Sequence, residues 1–248
     1  MYKRQLLTIL CAQHSYADFF NPSENDSWYT KILQDSISPV TTEARYLLVG
    51  GSLTSLGFYL QKHSGHTDYI ESEYAEDKPL GSSSKYGDLA GQMIPNAIYT
   101  VGMYTFGLFT KDSQAKEKAL FMIRATAYPA LLSTLLKASI QENRPNGAKY
   151  SFPSGHATTI FAFATAVACE HPWYWGVPAF ALAGFVGISR MNDNKHYFHD
   201  VLAGATLGSS YALGLYLLDK KRVSAQNEEA FYPVQSELLT GLGFYKTW

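Results

Sequence analysis

The chain has 248 residues, with 20 Lys and Arg against 21 Asp and Glu, and a formal net charge of −1 at pH 7. A chain of this length can enclose one sizeable core, and no long linker rich in Pro, Gly or Ser divides it, so we expect a single domain. The near-neutral charge and the scattered basic residues argue against a nucleic-acid partner, and the two cysteines, Cys11 and Cys169, lack the spacing of a zinc site.

The N-terminal segment, residues 1–44, precedes the long apolar stretches. A basic pair near its start, a short apolar run over 6–12 and Ser15-Tyr16-Ala17 resemble a short signal peptide covering 1–17. The apolar run has about the minimum length for such a peptide. A cleaved signal peptide and a plain N-terminal helix both fit residues 1–17.

Six stretches nearly free of charge follow, and their length of about 13 to 18 residues is typical of helices rather than strands. They predict an all-α fold, a bundle of about six core helices over 45–222, with a C-terminal tail over 223–248. Small residues such as Gly204 and Gly208 would let two helices approach closely. The stretches are Tyr46–Leu60, Met93–Thr110, Ala119–Leu136, Ala157–Cys169, Trp173–Ser189 and Val201–Leu218.

We expect this bundle to associate with a membrane, although the mean hydropathy of −0.13 also fits a soluble or half-immersed bundle. If the six stretches are antiparallel spans, the links after the third and fifth stretches lie at the same end of the bundle as loop 61–92. This loop is net acidic and is expected to be solvated. Lysines near residue 116 and the basic run 220–222 lie at the other end, which the positive-inside rule makes cytoplasmic. The first end would then face the periplasm of a bacterial inner membrane. A cleaved signal peptide conflicts with six spans and favours a secreted periplasmic bundle instead.

Two polar segments at that first end have the chemistry of a phosphate site. Lys137 and, seven positions later, Arg144 would place fixed positive charges at the mouth of a helix. Ser154, Gly155 and His156 open the fourth stretch, where backbone N–H groups at a helix N-terminus attract anions. The Ser154 hydroxyl and the Gly155 N–H would add neutral donors to the phosphate oxygens.

A third segment at the junction of the fifth and sixth stretches adds Arg190, His196 and Asp200. The Arg190 guanidinium suits bidentate contacts with phosphate oxygens. A spacing of four brings the Asp200 carboxylate to the His196 imidazole within one helical turn, and His196 is alone in having such a partner. His196 is therefore predicted to be the nucleophile, and His156, whose pKa a helix N-terminus lowers, to be the general acid.

These motifs together resemble the tripartite signature of the type 2 phosphatidic acid phosphatase and vanadium haloperoxidase superfamily. The segments that carry the resemblance are Lys137 with Arg144-Pro145, Pro153-Ser154-Gly155-His156, and Ser189-Arg190 with His196 and Asp200. The resemblance covers about 137–218 and implies a helical bundle that hydrolyses phosphomonoesters or diphosphates. It further implies no metal and no cofactor in the phosphatases, with vanadate as an inhibitor that mimics phosphate.

The resulting hypothesis is a lipid phosphatase that acts through a phosphohistidine on phosphatidate, a polyprenyl diphosphate or a lipid A type substrate. Its expected partners are the phosphorylated lipid and the membrane, with no obligate protein partner indicated. The alternatives are a soluble periplasmic acid phosphatase of broad specificity, a vanadium haloperoxidase, and a non-catalytic phospholipid-binding protein. A binding protein would have no need of both His156 and His196 with an orienting Asp200.

Three further residues near the motifs are predicted to stand outside catalysis. His199 adjoins the site but should point away from His196 on a helix. Glu142 and Asp193 lie in the motif loops and are expected to be solvated or to form surface ion pairs.

Overall fold

The computed structural model describes residues 27–63, 77–228, 231–236 and 239–244, so the predicted signal peptide lies outside the described residues. Helices dominate these ranges, and the predicted all-α class is confirmed. The helices are α1 Trp28–Thr41, α2 Ala44–His63, α3 Ser84–Ala90, α4 Ile94–Phe109, α5 Ser113–Ile140, α6 Gly155–Glu170, α7 Trp173–Asn192 and α8 Phe198–Glu228. A 3-10 turn, Gly81–Ser83, precedes α3, and an antiparallel hairpin of β1 Phe231–Ser236 and β2 Leu239–Phe244 follows α8.

Five of the six predicted stretches lie inside helices, namely α2 and α5 to α8, and Met93–Thr110 exceeds α4 by one residue at each end. Polar caps begin two of them: Asp112 accepts from the Gln114 N–H at 2.9 Å, and Ser154 is the N-cap of α6. The main core between α5, α6, α7 and α8 is built from small and apolar side chains, including the fully buried Ile160 and Leu215. Local apolar content was therefore enough to identify the helices that form this core.

The close packing of α8 against α6 sets the geometry of the polar end of the bundle. A Cβ at Gly208 would overlap the Thr158 carbonyl oxygen, and one at Gly204 would overlap the carbonyl of Ser154. The absence of those side chains lets α8 approach the first turns of α6, where the Ser154 N–H donates to the Asp200 carbonyl at 2.9 Å. The expected role of small residues in close helix approach is confirmed at this contact.

Helix α1 lies within the predicted N-terminal segment and buries a polar face. Asp35 accepts from Arg124 on α5 at 3.0 Å and from Arg222 on α8 at 2.9 Å, and Asp219 binds the same two arginines. The exposed face is apolar instead, with Trp28 75% exposed. On a water-soluble protein a surface helix buries its apolar face and exposes its polar face, and α1 does the reverse. The contact with Asp35 also means that Arg222, from the basic run, is paired with a carboxylate.

The outer surface of the bundle is also apolar. Helix α5 and residues 198–224 of α8 are long and apolar enough to cross a membrane by length and composition. Large hydrophobic side chains are exposed on several other helices, for example Leu53 on α2, Val101 on α4 and Val177 on α7. An apolar surface of this extent is unfavourable in water and supports the membrane association expected from the sequence.

Candidate active site

The predicted site residues meet at one end of the bundle, where α5 and α7 end and α6 and α8 begin. Lys137 lies in the last turn of α5, His156 in the first turn of α6, Arg190 in the last turn of α7 and Asp200 in the first turn of α8. His196 lies in the short connection before α8 and is 4% exposed. These separate segments form one cluster because the α5–α6 and α7–α8 connections lie at the same end of the bundle.

The His196 and Asp200 side chains lie together, although His196 precedes the helix, and a serine lies between them. Oδ2 of Asp200 lies 3.5 Å from Nδ1 of His196. The Ser151 hydroxyl donates to the same Oδ2 and lies 3.5 Å from Nδ1, while the Tyr197 backbone N–H donates to Oδ2 at 2.9 Å. Nδ1 of His196 thus faces its carboxylate partner, which leaves Nε2 as the nitrogen for attack.

His199 contacts the site, contrary to the prediction that it points away. Its Nε2 lies 3.3 Å from Oδ1 of Asp200 and 3.2 Å from Oε1 of Glu142. Glu142 is also paired with Lys62 at 3.3 Å, so it forms an ion pair as expected. Through His199, this ion pair is connected to the Asp200 carboxylate. The helical-spacing argument failed because His196 precedes α8 and does not lie on it.

Ser154, Gly155 and Lys137 form the start of the proposed phosphate cradle. Ser154 is fully buried, and its Oγ accepts from the Ala157 N–H at 3.4 Å, which leaves its own proton to donate. Lys137 Nζ donates to the Tyr150 carbonyl at 3.0 Å, and its Cε lies 3.7 Å from where a Gly155 Cβ would be. A side chain at position 155 would therefore touch this lysine.

Two arginines contribute donors that an anion could use. Among the described residues, neither Nε of Arg144 nor Nε of Arg190 has a hydrogen-bond partner, although both atoms are buried. Buried donors without partners are costly, and a bound phosphate oxygen would relieve that cost. Arg190 is 2% exposed and pairs with Asp193 at 3.0 Å, which confirms the ion-pair expectation for Asp193.

Asp88 of α3 is a site residue that the sequence did not indicate, because it was counted among the solvated charges of loop 61–92. Its Oδ1 forms an ion pair with Nη1 of Arg190 and lies 3.2 Å from Nε2 of His156. The latter approach lacks hydrogen-bond geometry, and Nε2 has no hydrogen-bond partner within the described part of the chain. Only His196 has a carboxylate four positions away in the sequence, but in the structure each of the two histidines has a carboxylate nearby.

Burial and neighbouring charges hold both imidazoles neutral at pH 7 in this structure. Burial lowers the pKa of His196, Asp200 opposes that change, and Lys137 and Arg144 lower the pKa further. Burial and then Arg190 lower the pKa of His156 to about 4, with Asp88 acting in the opposite direction. A neutral His196 suits a nucleophile, whereas a neutral His156 has to gain a proton before it can act as an acid.

The described residues contain a cluster of metal-ligand type, Glu142, His199 and Asp200, whose ligand atoms lie within 4.8 Å of one another. The Lys62 ammonium group already neutralises Glu142, and the His199 ring lies between the two carboxylates. Lys62 and His199 therefore both bind Glu142, whereas Oδ1 of Asp200 has no hydrogen-bond partner among the described residues.

An apolar groove of about 540 Å³ opens beside the polar cluster. It runs between α2, α5 and α8, with Leu56, Leu136 and Leu207 along its walls, and it ends at Phe152 and Glu142 next to the motif loops. Its walls are far more apolar than the site itself, so a ligand with a polar head and an apolar tail would fit both together.

Known proteins with similar sequences include phosphatases of one superfamily. A model of the PAP2 superfamily matches residues 88–224, more than half of the chain. A lipid A 1-phosphatase of Porphyromonas gingivalis is 46% identical over 129 residues, which cover 49% of this chain and 28% of that protein. A lipid A 1-phosphatase of Rhizobium johnstonii is 33% identical over 126 residues, which cover 42% of this chain and 51% of that protein. The chain thus spans about half or less of these relatives.

A solved structure shares the fold. The transmembrane PAP2 type phosphatidylglycerolphosphate phosphatase of Bacillus subtilis has a TM-score of 0.54, with 21% identity over 71% of this chain and 97% of that one. At this level of identity the similarity concerns the arrangement of the helices alone.

Proposed function

This chain belongs to the PAP2 superfamily, and from that premise we propose that it is a phosphatase that removes phosphate from a membrane lipid without a metal ion. The observation that supports the proposal most strongly is the convergence of three cations and two histidines, each within 3.5 Å of a carboxylate oxygen, beside an apolar groove. Positioning and charge neutralisation are the main requirements of phosphoryl transfer, and this set of residues can supply both.

In the proposed reaction, Lys137, Arg144 and Arg190 bind the phosphate oxygens, and Nε2 of His196 attacks phosphorus. The bond from phosphorus to the lipid oxygen breaks, and protonated His156 gives its extra proton to that oxygen, so the lipid leaves as an alcohol or a monophosphate. Water then attacks the phosphohistidine and gives a proton to the neutral His156. Inorganic phosphate leaves, and His196 returns to its starting form.

We infer a lipid substrate from the surroundings of the site. The groove walls are apolar, and the outer faces of the neighbouring helices expose large hydrophobic side chains. Two relatives are named lipid A 1-phosphatases, so a phosphorylated glycolipid is the first substrate to test, followed by phosphatidate and a polyprenyl diphosphate. The site is proposed to face the periplasm, because Lys116, Lys118 and Lys220 lie at the opposite end of the bundle.

The experiment is a phosphate-release assay in detergent with these three lipids and with a water-soluble nitrophenyl phosphate, in the presence of a chelator. Leu136→Trp would fill the groove, and Leu135→Trp on the outer face of the same helix is the matched control. We expect Leu136→Trp to raise KM for lipids about tenfold or more, with little change for nitrophenyl phosphate. No release from any lipid, or equal effects of both tryptophans on both kinds of substrate, would contradict the lipid assignment.

A further inference from the structure

The fold seats Asp88 firmly beside His156. The Gly91 that ends α3 packs on His156, since a Cβ at Gly91 would overlap the imidazole ring. The Thr159 hydroxyl on α6 donates to the Gly91 carbonyl at 3.0 Å. Gly87 of α3 likewise packs on Ser189 of α7, where a Cβ would overlap the serine hydroxyl. Because α3 is fixed against both α6 and α7, the Asp88 carboxylate is held at the site by the fold rather than by a flexible loop.

The Asp88 carboxylate has two partners in the site and is shared between them. Arg190 binds it directly, and His156 lies 3.2 Å away without a hydrogen bond. Burial alone would raise the pKa of Asp88, but the hydrogen bond and charge of Arg190, and then the charge of His156, leave its pKa below the ordinary value. The carboxylate is therefore charged at neutral pH. In the absence of substrate, its main partner is the Arg190 guanidinium.

The arrival of substrate would change this balance. A phosphate group that binds Arg190 neutralises the cation that both holds Asp88 and opposes protonation of His156. We propose that Asp88 is then the positioning residue for His156: its negative charge keeps a proton on the imidazole, and the unpartnered Nε2 gives that proton to the leaving oxygen. Phosphate binding and charging of the general acid would thereby be coupled. This inference rests on the proposed phosphatase function.

The other charges that face His156 determine the expected pH dependence. Arg190 from α7, Arg144 from the α5–α6 connection and His196 from the α7–α8 connection all lower its pKa, and Asp88 raises it. Removing the charge of Asp88 should therefore lower the pKa of His156 further. Above that pKa the protonated fraction falls tenfold per pH unit, and a neighbouring charge typically shifts a pKa by about one to three units. The defect should therefore be constant above the pKa that His156 has with phosphate bound, and it should shrink as the pH falls below that pKa.

The test compares Asp88→Asn, Asp88→Glu and the exposed control Asp77→Asn on two substrates between about pH 4 and pH 8. For a lipid phosphate with an alcohol leaving group, Asp88→Asn should lose roughly 10- to 100-fold in kcat at pH 7 and less in acid. With nitrophenyl phosphate, whose leaving group needs no proton, the loss should stay within about threefold. Asp88→Glu should recover part of the lost rate, and Asp77→Asn should match the wild type.

A double variant separates this role from a structural one. If Asp88 acts through His156, Asp88→Asn added to His156→Ala should cause no further loss on the lipid substrate. Equal loss on both substrates, a pH-independent loss, or a lower KM with unchanged kcat would each overturn the proposal. The last result would mean that Asp88 merely competes with phosphate for Arg190. If the wild type releases no phosphate at all, the proposed function itself fails, which is a distinguishable outcome.

Discussion

Replacement of Asp200 by Asn tests how the proposed nucleophile is held. Oδ2 of Asp200 accepts from the Tyr197 N–H at 2.9 Å and from the Ser151 hydroxyl, and it faces Nδ1 of His196 at 3.5 Å. Asparagine keeps the shape but removes the negative charge, and it turns one oxygen into an NH₂ donor. The His196 ring then loses the partner that favours the tautomer with its lone pair on Nε2.

The expected magnitude follows from these contacts. The equivalent change in a serine protease triad lowers kcat about 10⁴-fold. Because the contact from Asp200 to His196 is long and Ser151 shares the carboxylate, we expect a loss of about 10²–10⁴-fold here. Ser151→Ala removes one hydrogen bond to a charged group, worth about 1.5–3 kcal/mol, and tenfold in rate corresponds to about 1.36 kcal/mol. Its loss should therefore be roughly 10- to 100-fold.

Rapid quenching with a phosphate-labelled substrate measures how fast the phosphohistidine forms. Asp200→Asn should slow formation of the acid-labile phosphohistidine, and Glu43→Gln, an exposed carboxylate on another part of the chain, should not. The reasoning would be refuted if Asp200→Asn stayed within about threefold of the wild type. It would also be refuted if the label were found on His156 instead of His196.

Three further predictions test the site and its orientation. His156→Ala should lose about 10²–10⁴-fold on a lipid phosphate, and most of the loss should vanish with nitrophenyl phosphate; equal losses on both would exclude an acid role. Vanadate should inhibit at about micromolar concentration as a transition-state mimic, and EDTA should have no effect; indifference to vanadate, or a loss in EDTA that Mg²⁺ restores, would contradict the phosphohistidine mechanism. A cysteine at the exposed position Ser82 should react with an impermeant reagent on intact cells; labelling only after lysis would place the site in the cytoplasm.

The helix positions could be predicted because each apolar stretch carries its own signal within a few turns. Helix α1 was not predicted, since its buried face is polar and Asp35 is satisfied only by arginines about 90 and 190 residues further along the chain. Nothing in the local sequence distinguishes that face from a solvated one. Helix α3 is too short to show a period, and it lies in a loop whose overall charge favours exposure.

The sequence by itself determined which residues could hold and attack a phosphate, because the Lys137, His156 and His196 segments each place their functional groups within a few positions of one another. Only the tertiary structure decided what surrounds the two histidines. Asp88 reaches Arg190 across 102 residues, Ser151 reaches Asp200 across 49, and Glu142 reaches His199 across 57. Contacts at such separations depend on how helices pack, which here depends on glycines that let backbones touch, and no local pattern encodes which charged side chain will face which turn.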